Sequence, residues 1–196
     1  MAEKEFARLR AEFMSTVSQK NLKQLLEALV TDGILNVTEE SISKRVALLI
    51  TNKTFNGYST RHGAEKDEYE MHCMLADLGY DVVKYRNLTV KEIEKALQKF
   101  SKHPHLVHTD SVFVVIMSHG SLKGVCGTDC KPFEIENIYK SLNTENCPAL
   151  HNKPKVIIIQ ACRGEMSHMA LILSNILLRY SKSLLMWITL RNCSEK

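Results

Sequence analysis

The sequence predicts an α/β fold: a mostly parallel sheet flanked by helices, preceded by a short, partial helical segment. Short apolar runs rich in β-branched residues alternate with amphipathic stretches of helical spacing along the middle of the chain. This alternation favours parallel strands, because a crossover helix returns the chain to the same end of the sheet. Two of the runs end shortly before a polar residue, His119 and Cys162. The carboxyl ends of parallel strands are where open α/β sheets place their chemistry.

The first 44 residues predict short helices. Apolar residues recur at helical spacing in two groups: Phe6, Leu9, Phe13 and Val17, then Leu22, Leu25, Leu26 and Leu29. Asp32-Gly33 ends the second helix, and Asn36, three residues before Glu39, predicts a capping box that opens a third. The third helix has hardly begun before the first strand, so we expect these helices to leave apolar faces without a partner.

From residue 45 the pattern alternates between strands and helices. We predict strands over 46–50, 81–85, 111–117 and 156–160, and helices over 64–78, 134–142 and behind a capping box formed by Thr89 and Glu92. The run over 156–160 is predicted as the last strand of the chain. The sheet would then end at an uncovered strand, and we expect marginal stability for that reason.

Composition excludes several classes of function. The 196 residues carry a net charge of +4, and the basic residues are spread out, so we expect no nucleic-acid partner. The charged N-terminus lacks a signal-peptide core, and no apolar stretch is long enough to cross a membrane. Six cysteines without a disulfide framework favour a reducing, cytoplasmic setting. The sequons at Asn36, Asn52, Asn87 and Asn192 then carry no meaning.

Cys162 is the candidate nucleophile. A thiol becomes reactive as its thiolate, and a nearby imidazole raises the thiolate fraction and later protonates a leaving amine. His119, 43 residues upstream, emerges at the same sheet edge if the strands are parallel. The N–H groups of Gly120 and of Cys162 are candidate donors to an oxyanion.

Simpler interpretations exist for each residue alone. A cysteine after a buried strand is commonly an inert core residue, and a His-Gly pair after a strand is commonly a turn. Cys73 is predicted as core. The histidines 103, 105 and 108 are interpreted as a solvated loop, and Cys126 with Cys130 lacks the second pair that a zinc site needs. We therefore predict neither a metal nor a cofactor.

Several motifs together resemble the caspase family, in its inflammatory, caspase-1-like branch. They are Arg61-His-Gly-Ala-Glu65, Met117-Ser-His-Gly120, Leu142 to Leu150, and Lys153 to Gly164, which contains the signature Gln-Ala-Cys-Arg-Gly. The resemblance covers residues 45–165, the large catalytic subunit of the family. Residues 1–44 resemble the opening helices of a caspase recruitment domain, and residues 166–196 form a divergent tail of unknown structure.

The resemblance implies a cysteine endopeptidase that cleaves after aspartate and acts in inflammation or apoptosis. Cys162 would be the nucleophile, His119 the acid and base, and Gly120 an oxyanion donor. Arg61 and Gln160 would line the pocket for the substrate aspartate, since a guanidinium binds a carboxylate in a bidentate manner. Without the resemblance, Arg61 would be interpreted as a solvated loop cation.

The chain also departs from the family pattern. No small subunit is recognisable after Cys162, and no aspartate follows it as a processing site. We therefore expect a truncated member of the family, with weak or absent catalysis. The alternative is a non-enzymatic decoy that binds caspases or proteins with a recruitment domain. A plain doubly wound ligand-binding domain is disfavoured, because no glycine-rich phosphate loop follows any strand.

Overall fold

The structure, a computed structural model, describes residues 19–31, 36–121, 123–161, 177–179 and 185–190. For 177–179 and 185–190 the description covers the backbone. The helix predicted around Phe6 to Val17 lies outside the described residues, and so does Cys162.

The described residues form five α-helices and nine strands. The helices are α1 (Gln19–Thr31), α2 (Glu39–Ser43), α3 (Ala64–Asp77), α4 (Val90–Phe100) and α5 (Ile135–Leu142), with 3-10 turns at Pro104–Val107 and Pro148–Leu150. The strands are β1 (Val46–Thr51), β2 (Asp81–Arg86), β3 (Val112–Met117), β4 (Gly120–Ser121), β5 (Gly124–Cys126), β6 (Pro132–Glu134), β7 (Lys155–Gln160), β8 (Leu177–Arg179) and β9 (Leu185–Leu190).

A central sheet orders the strands β2-β1-β3-β7-β9-β8. The first five in this order pair in parallel, and β8 joins β9 antiparallel. The predicted parallel sheet is therefore confirmed. Thr51 pairs with Met117 and Met117 with Gln160, so β1, β3 and β7 end at one level. Strands β4, β5 and β6 form a separate small sheet.

Two apolar layers cover the central sheet. In β1, Ala47 and Leu49 face one cluster with α1 and α3, whereas Leu48 and Ile50 face a second cluster with α4 and α5. Strands β1 and β3 are buried along their whole length, as expected of parallel strands covered on both faces. Helices on both faces are thus confirmed.

The apolar face of α1 is not without a partner, contrary to our expectation. Leu22, Leu26 and Leu29 are buried in the same cluster as Met71 of α3 and Phe113 of β3. The sheet face beside α3 provides the apolar partner, which spacing along the helix alone does not reveal.

The N-cap predicted for the third helix was also wrong. Helix α2 is capped by Thr38 rather than Asn36. The Ser41 N–H donates to Thr38 Oγ1 at 3.1 Å, and the Thr38 N–H donates to Ser41 Oγ at 2.9 Å. Ser41 thus occupies the third helical position, where the predicted capping box had Glu39.

β7 is not the last strand of the sheet. Strand β9 pairs in parallel with the whole of β7, from Lys155 opposite Leu185 to Gln160 opposite Leu190. The expectation of marginal stability rested on an uncovered β7, and that reason is removed. The described part of the segment 166–196 is β-structure, not the amphipathic helix that its apolar composition permits.

Candidate active site

The carboxyl ends of β1, β3 and β7 form one edge of the sheet. The ladder continues one residue beyond the strands: the Asn52 N–H donates to Met117 O at 2.9 Å, and the Ser118 N–H to Gln160 O at 3.0 Å. These bonds hold the residues that follow each strand at a common level. His119 comes next after Ser118, and Cys162 follows Gln160 by two residues.

The imidazole of His119 is held by a backbone carbonyl. Its Nε2 lies 2.8 Å from the carbonyl oxygen of Ser59. A carbonyl only accepts, so this contact requires the tautomer with the proton on Nε2, and Nδ1 is then the basic nitrogen.

Two aromatic rings pack against His119. Phe55 lies 4.6 Å away between ring centroids, and Tyr58 meets the imidazole edge-on at 5.8 Å. Phe55 is buried and Tyr58 is exposed. The loop 53–60 therefore supplies both the acceptor that sets the tautomer and the walls that fix the ring plane.

The N–H of Gly120 points away from its neighbouring strand. Gly120 is opposite Val125 in the antiparallel β4–β5 pair. The Cys126 N–H donates to the carbonyl of His119 at 2.7 Å, which makes Gly120 and Val125 a non-hydrogen-bonded pair. In such a pair each N–H is directed outward, as an oxyanion donor at Gly120 requires.

The small sheet around Gly120 depends on a glycine at position 124. Gly124 has φ +153°, and a Cβ there would lie 2.1 Å from the carbonyl oxygen of Phe133 on β6. Only glycine permits this close approach of β5 to β6. The sequence alone did not single out this position.

Arg61 lies buried across the ends of the strands, with 8% of its surface exposed. Its Nη1 donates to Asn52 O at 2.8 Å and to Met117 O at 3.2 Å, and its Nη2 donates to Gln160 Oε1 at 3.2 Å. The interpretation as a solvated loop cation is therefore excluded. The structure brings Arg61 and Gln160 into contact, with His119 two residues beyond the Met117 carbonyl.

The caspase domain family matches residues 44–186. The chain belongs to the caspase domain family. This membership confirms the classification with the caspase-type cysteine endopeptidases, and the match runs beyond residue 165 into the segment interpreted as divergent.

Curated relatives are inflammatory-type caspases. The chain is 45% identical over 136 residues to caspase a of Danio rerio, covering 65% of this chain and 36% of that protein. It is 44% identical over 145 residues to caspase-1-B of Xenopus laevis, with 68% and 38% covered. It is 42% identical over 137 residues to caspase-1 of Sus scrofa, with 67% and 34% covered. The caspase domain described here thus spans a little over a third of the length of these relatives.

Sequence reasoning also missed Ser59 and Asn52 of this candidate site. Ser59 acts through its carbonyl, so its residue type carries no signal. Asn52 follows β1 and is fully buried, with both ends of its carboxamide hydrogen-bonded. Its sequon drew attention to glycosylation, whereas its burial at a strand's carboxyl end is the feature that relates it to the site.

The thiols of the described cysteines are buried or half-buried. Burial raises the pKa of the Cys126 and Cys147 thiols, which keeps them protonated and unreactive. Cys73, predicted as core, is half-buried on α3.

Across the described ranges, no group of three or more potential ligands is arranged to hold a metal ion. No helix within those ranges is long and apolar enough to cross a bilayer.

Proposed function

We propose that this caspase domain is a cysteine endopeptidase that cleaves peptide bonds after aspartate. The observation that supports it most is the contact of His119 Nε2 with the Ser59 carbonyl, at the edge where Arg61 meets Gln160. That contact leaves Nδ1 as a base at the same carboxyl edge of the sheet. The family match favours the enzyme over a non-enzymatic decoy.

In the first step the Cys162 thiol transfers its proton to Nδ1 of His119. The thiolate attacks the carbonyl carbon of the scissile bond, and a C–S bond forms as the carbonyl π electrons move onto oxygen. The resulting imidazolium keeps its Nε2–H on the Ser59 carbonyl, so the charge develops on a ring already held in place.

The oxyanion needs donors that are in position before the reaction. The outward N–H of Gly120 is one, and the N–H of Cys162 is the other that we propose. When the tetrahedral intermediate collapses, the C–N bond breaks and Nδ1–H protonates the departing amine. Water then attacks the thioester, its proton passes to Nδ1, and the acid product and Cys162 thiol are released.

Arg61 and Gln160 are proposed to recognise the substrate aspartate. The guanidinium is held by the carbonyls of Asn52 and Met117 and by the Gln160 amide oxygen, all of them uncharged. These acceptors orient the guanidinium plane at the strand ends. A planar fork of N–H donors matches a carboxylate better than a lysine ammonium does.

The biological setting is proposed from the relatives named caspase-1. We place the protein in the cytoplasm, in inflammation or apoptosis, with protein substrates and with caspases or recruitment-domain proteins as partners. The thiols of Cys73, Cys126, Cys130 and Cys147 are free, which suits a reducing compartment. The boundaries at 44/45 and 165/166 remain predictions.

An active-site label tests the chemistry even where turnover is weak. The purified chain is treated with a peptidyl fluoromethyl ketone ending in aspartate, which alkylates the reacting thiolate and releases fluoride. Trypsin then yields the peptide 156–163, in which Cys162 is the one cysteine. We expect labelling of this peptide, its loss in Cys162→Ala, and labelling at least tenfold slower in His119→Ala.

Two matched controls complete the test. Cys73→Ser removes a half-buried thiol on α3 and should leave the rate unchanged. The same ketone ending in asparagine should react far more slowly. Equal reaction of both ketones, or labelling of Cys162 that is independent of His119, would contradict the proposed function.

A further inference from the structure

Asn52 has a hydrogen-bonding arrangement that the proposed mechanism does not use. Its side chain is fully buried directly after β1. Oδ1 accepts from the Leu88 N–H at 2.8 Å, and Nδ2 lies 3.2 Å from the Leu88 carbonyl. The carboxamide thus pairs with both backbone groups of Leu88, as a neighbouring strand would.

The same carboxamide reaches the segment that carries His119. Nδ2 lies 3.3 Å from Ser118 Oγ and 3.2 Å from the Cys126 carbonyl. The Ser118 hydroxyl also donates to that carbonyl. Cys126 in turn donates its N–H to the carbonyl of His119. Asn52 therefore touches the residue before His119 and the strand that binds His119.

The backbone of Asn52 reaches the aspartate pocket. Its carbonyl accepts from Arg61 Nη1 at 2.8 Å, the shortest of the three guanidinium contacts given above. One residue thus contacts the support of His119 through its side chain and Arg61 through its main chain. A displacement of Asn52 would move both parts of the site.

We infer that Asn52 is a positioning residue, whose buried carboxamide keeps His119 in line with the Ser59 carbonyl and in register with Arg61. The side chain of asparagine carries a hydrogen-bond donor and an acceptor on one uncharged group. Alanine would leave the Leu88 N–H and the Cys126 carbonyl without this partner in a buried place. The inference rests on the proposed function for its catalytic meaning.

The tautomer of His119 tests the inference without needing catalysis. Long-range ¹H–¹⁵N NMR at pH 8 distinguishes Nε2–H from Nδ1–H imidazoles, and His119→Gln assigns the signal. We expect one Nε2–H tautomer in the natural chain and a mixture in Asn52→Ala. Ser118→Ala, which removes the hydroxyl that lies beside Asn52 Nδ2 and donates to the Cys126 carbonyl, should also give a mixture if Asn52→Ala fails to fold.

Ser111→Ala is the matched control. Ser111 is equally buried and hydrogen-bonded to Asp110, but it lies at the opposite, amino end of β3. It should keep the natural tautomer. The inference is overturned if Asn52→Ala and Ser118→Ala both keep that tautomer, or if the natural chain already shows a mixture.

A second readout connects positioning with reactivity. The rate of iodoacetamide alkylation at Cys162, followed on the peptide 156–163, should fall about tenfold at pH 7 in Asn52→Ala, since an unassisted thiol is only a few per cent thiolate there. Ser111→Ala should react as the natural chain does. If His119→Ala leaves this rate unchanged, the proposed Cys–His pair fails, while the tautomer still decides the inference on Asn52.

Discussion

Arg61 shows how a single residue joins three strands at the site. Its guanidinium bonds to the carbonyl of Asn52 after β1, to that of Met117 at the end of β3, and to the side chain of Gln160 at the end of β7. A lysine ammonium at this place would reach fewer of these acceptors, because its donors radiate from one atom. The guanidinium of Arg61 therefore links the three strands and is also the proposed ligand for the substrate aspartate.

Replacing Arg61 by lysine separates its proposed role in substrate recognition from its structural role. We expect Arg61→Lys to slow labelling of Cys162 by the aspartyl ketone about 10- to 100-fold, as the loss of a charge-assisted hydrogen bond implies. Labelling by iodoacetamide, which carries no aspartate, should change little. Arg86→Lys, at a largely exposed side chain paired with Glu68, is the control. An unchanged ketone rate in Arg61→Lys would remove Arg61 from substrate recognition.

Helix α4 is an element whose start follows from its own sequence. The Thr89 N–H and hydroxyl both donate to Glu92 Oε2, at 2.9 and 2.7 Å. Ile93, Ala96, Leu97 and Phe100 then form the stripe that packs under the sheet. The predicted capping box is confirmed, because it depends on residues within one turn of each other.

The cap makes a small part of the stability depend on pH. Hydrogen bonds from the Thr89 backbone and then its hydroxyl lower the pKa of Glu92 below its ordinary value of 4.5. A lowered pKa in the folded state stabilises the fold above pH 4.5, and this contribution is lost as the pH falls through the folded value.

Glu92→Gln should therefore be less stable than the natural chain at pH 7, with the difference shrinking below pH 4.5. Urea unfolding at pH 7, 5 and 4 measures it. Glu94→Gln, on an exposed position of the same helix, should show little difference at any of these pH values. A difference for Glu92→Gln that stays constant across the pH series would contradict the cap.

At the scale of the whole molecule, two segments outside the predicted βαβ core complete the sheet. Helix α1 packs three leucines onto the face beside α3. Strand β9 pairs with β7 and makes β7 an inner strand. Each covers surface that the core elements leave exposed, one on a face and the other on an edge.

The contribution of α1 is measurable by a leucine deletion. Leu26 is 6% exposed, whereas Val30 on the same helix is 46% exposed. Leu26→Ala should lower the free energy of unfolding by about 2–4 kcal/mol, and Val30→Ala by less than about 0.5 kcal/mol. Urea unfolding followed by far-ultraviolet circular dichroism compares them. Equal effects would mean that α1 does not pack on the sheet.

Hydrogen exchange tests the pairing of β9. In a strand with two neighbours, successive amides bond alternately to either side, so all should exchange slowly. We expect slow exchange at consecutive amides of β7 and at alternate amides of β2, which pairs with β1 alone in the described sheet. Fast exchange at every second amide of β7 would show that its outer edge is open.

Local patterns predicted the strands β1, β2, β3 and β7, the helices α3 to α5 and the residues at the carboxyl edge. They worked because burial on both faces requires unbroken apolar runs, and helices require a periodic stripe. They failed at α2, where a serine replaces the glutamate of the expected cap, and at β9, where an apolar stretch fits a strand or a helix equally well.

The sequence alone predicted the α/β class, and the residue types at strand ends made Cys162 and His119 candidates, whereas Arg61 followed only from the resemblance to the family. Only the tertiary structure showed the tautomer of His119, the hydrogen bond between Arg61 and Gln160, and the buried hydrogen bonds of Asn52. Those depend on backbone carbonyls and on residues far apart in the chain: Ser59 and His119 are 60 positions apart, and Arg61 and Gln160 are 99 apart. A carbonyl is present at every position, so only its place in the folded chain tells which one orients the side chain of His119.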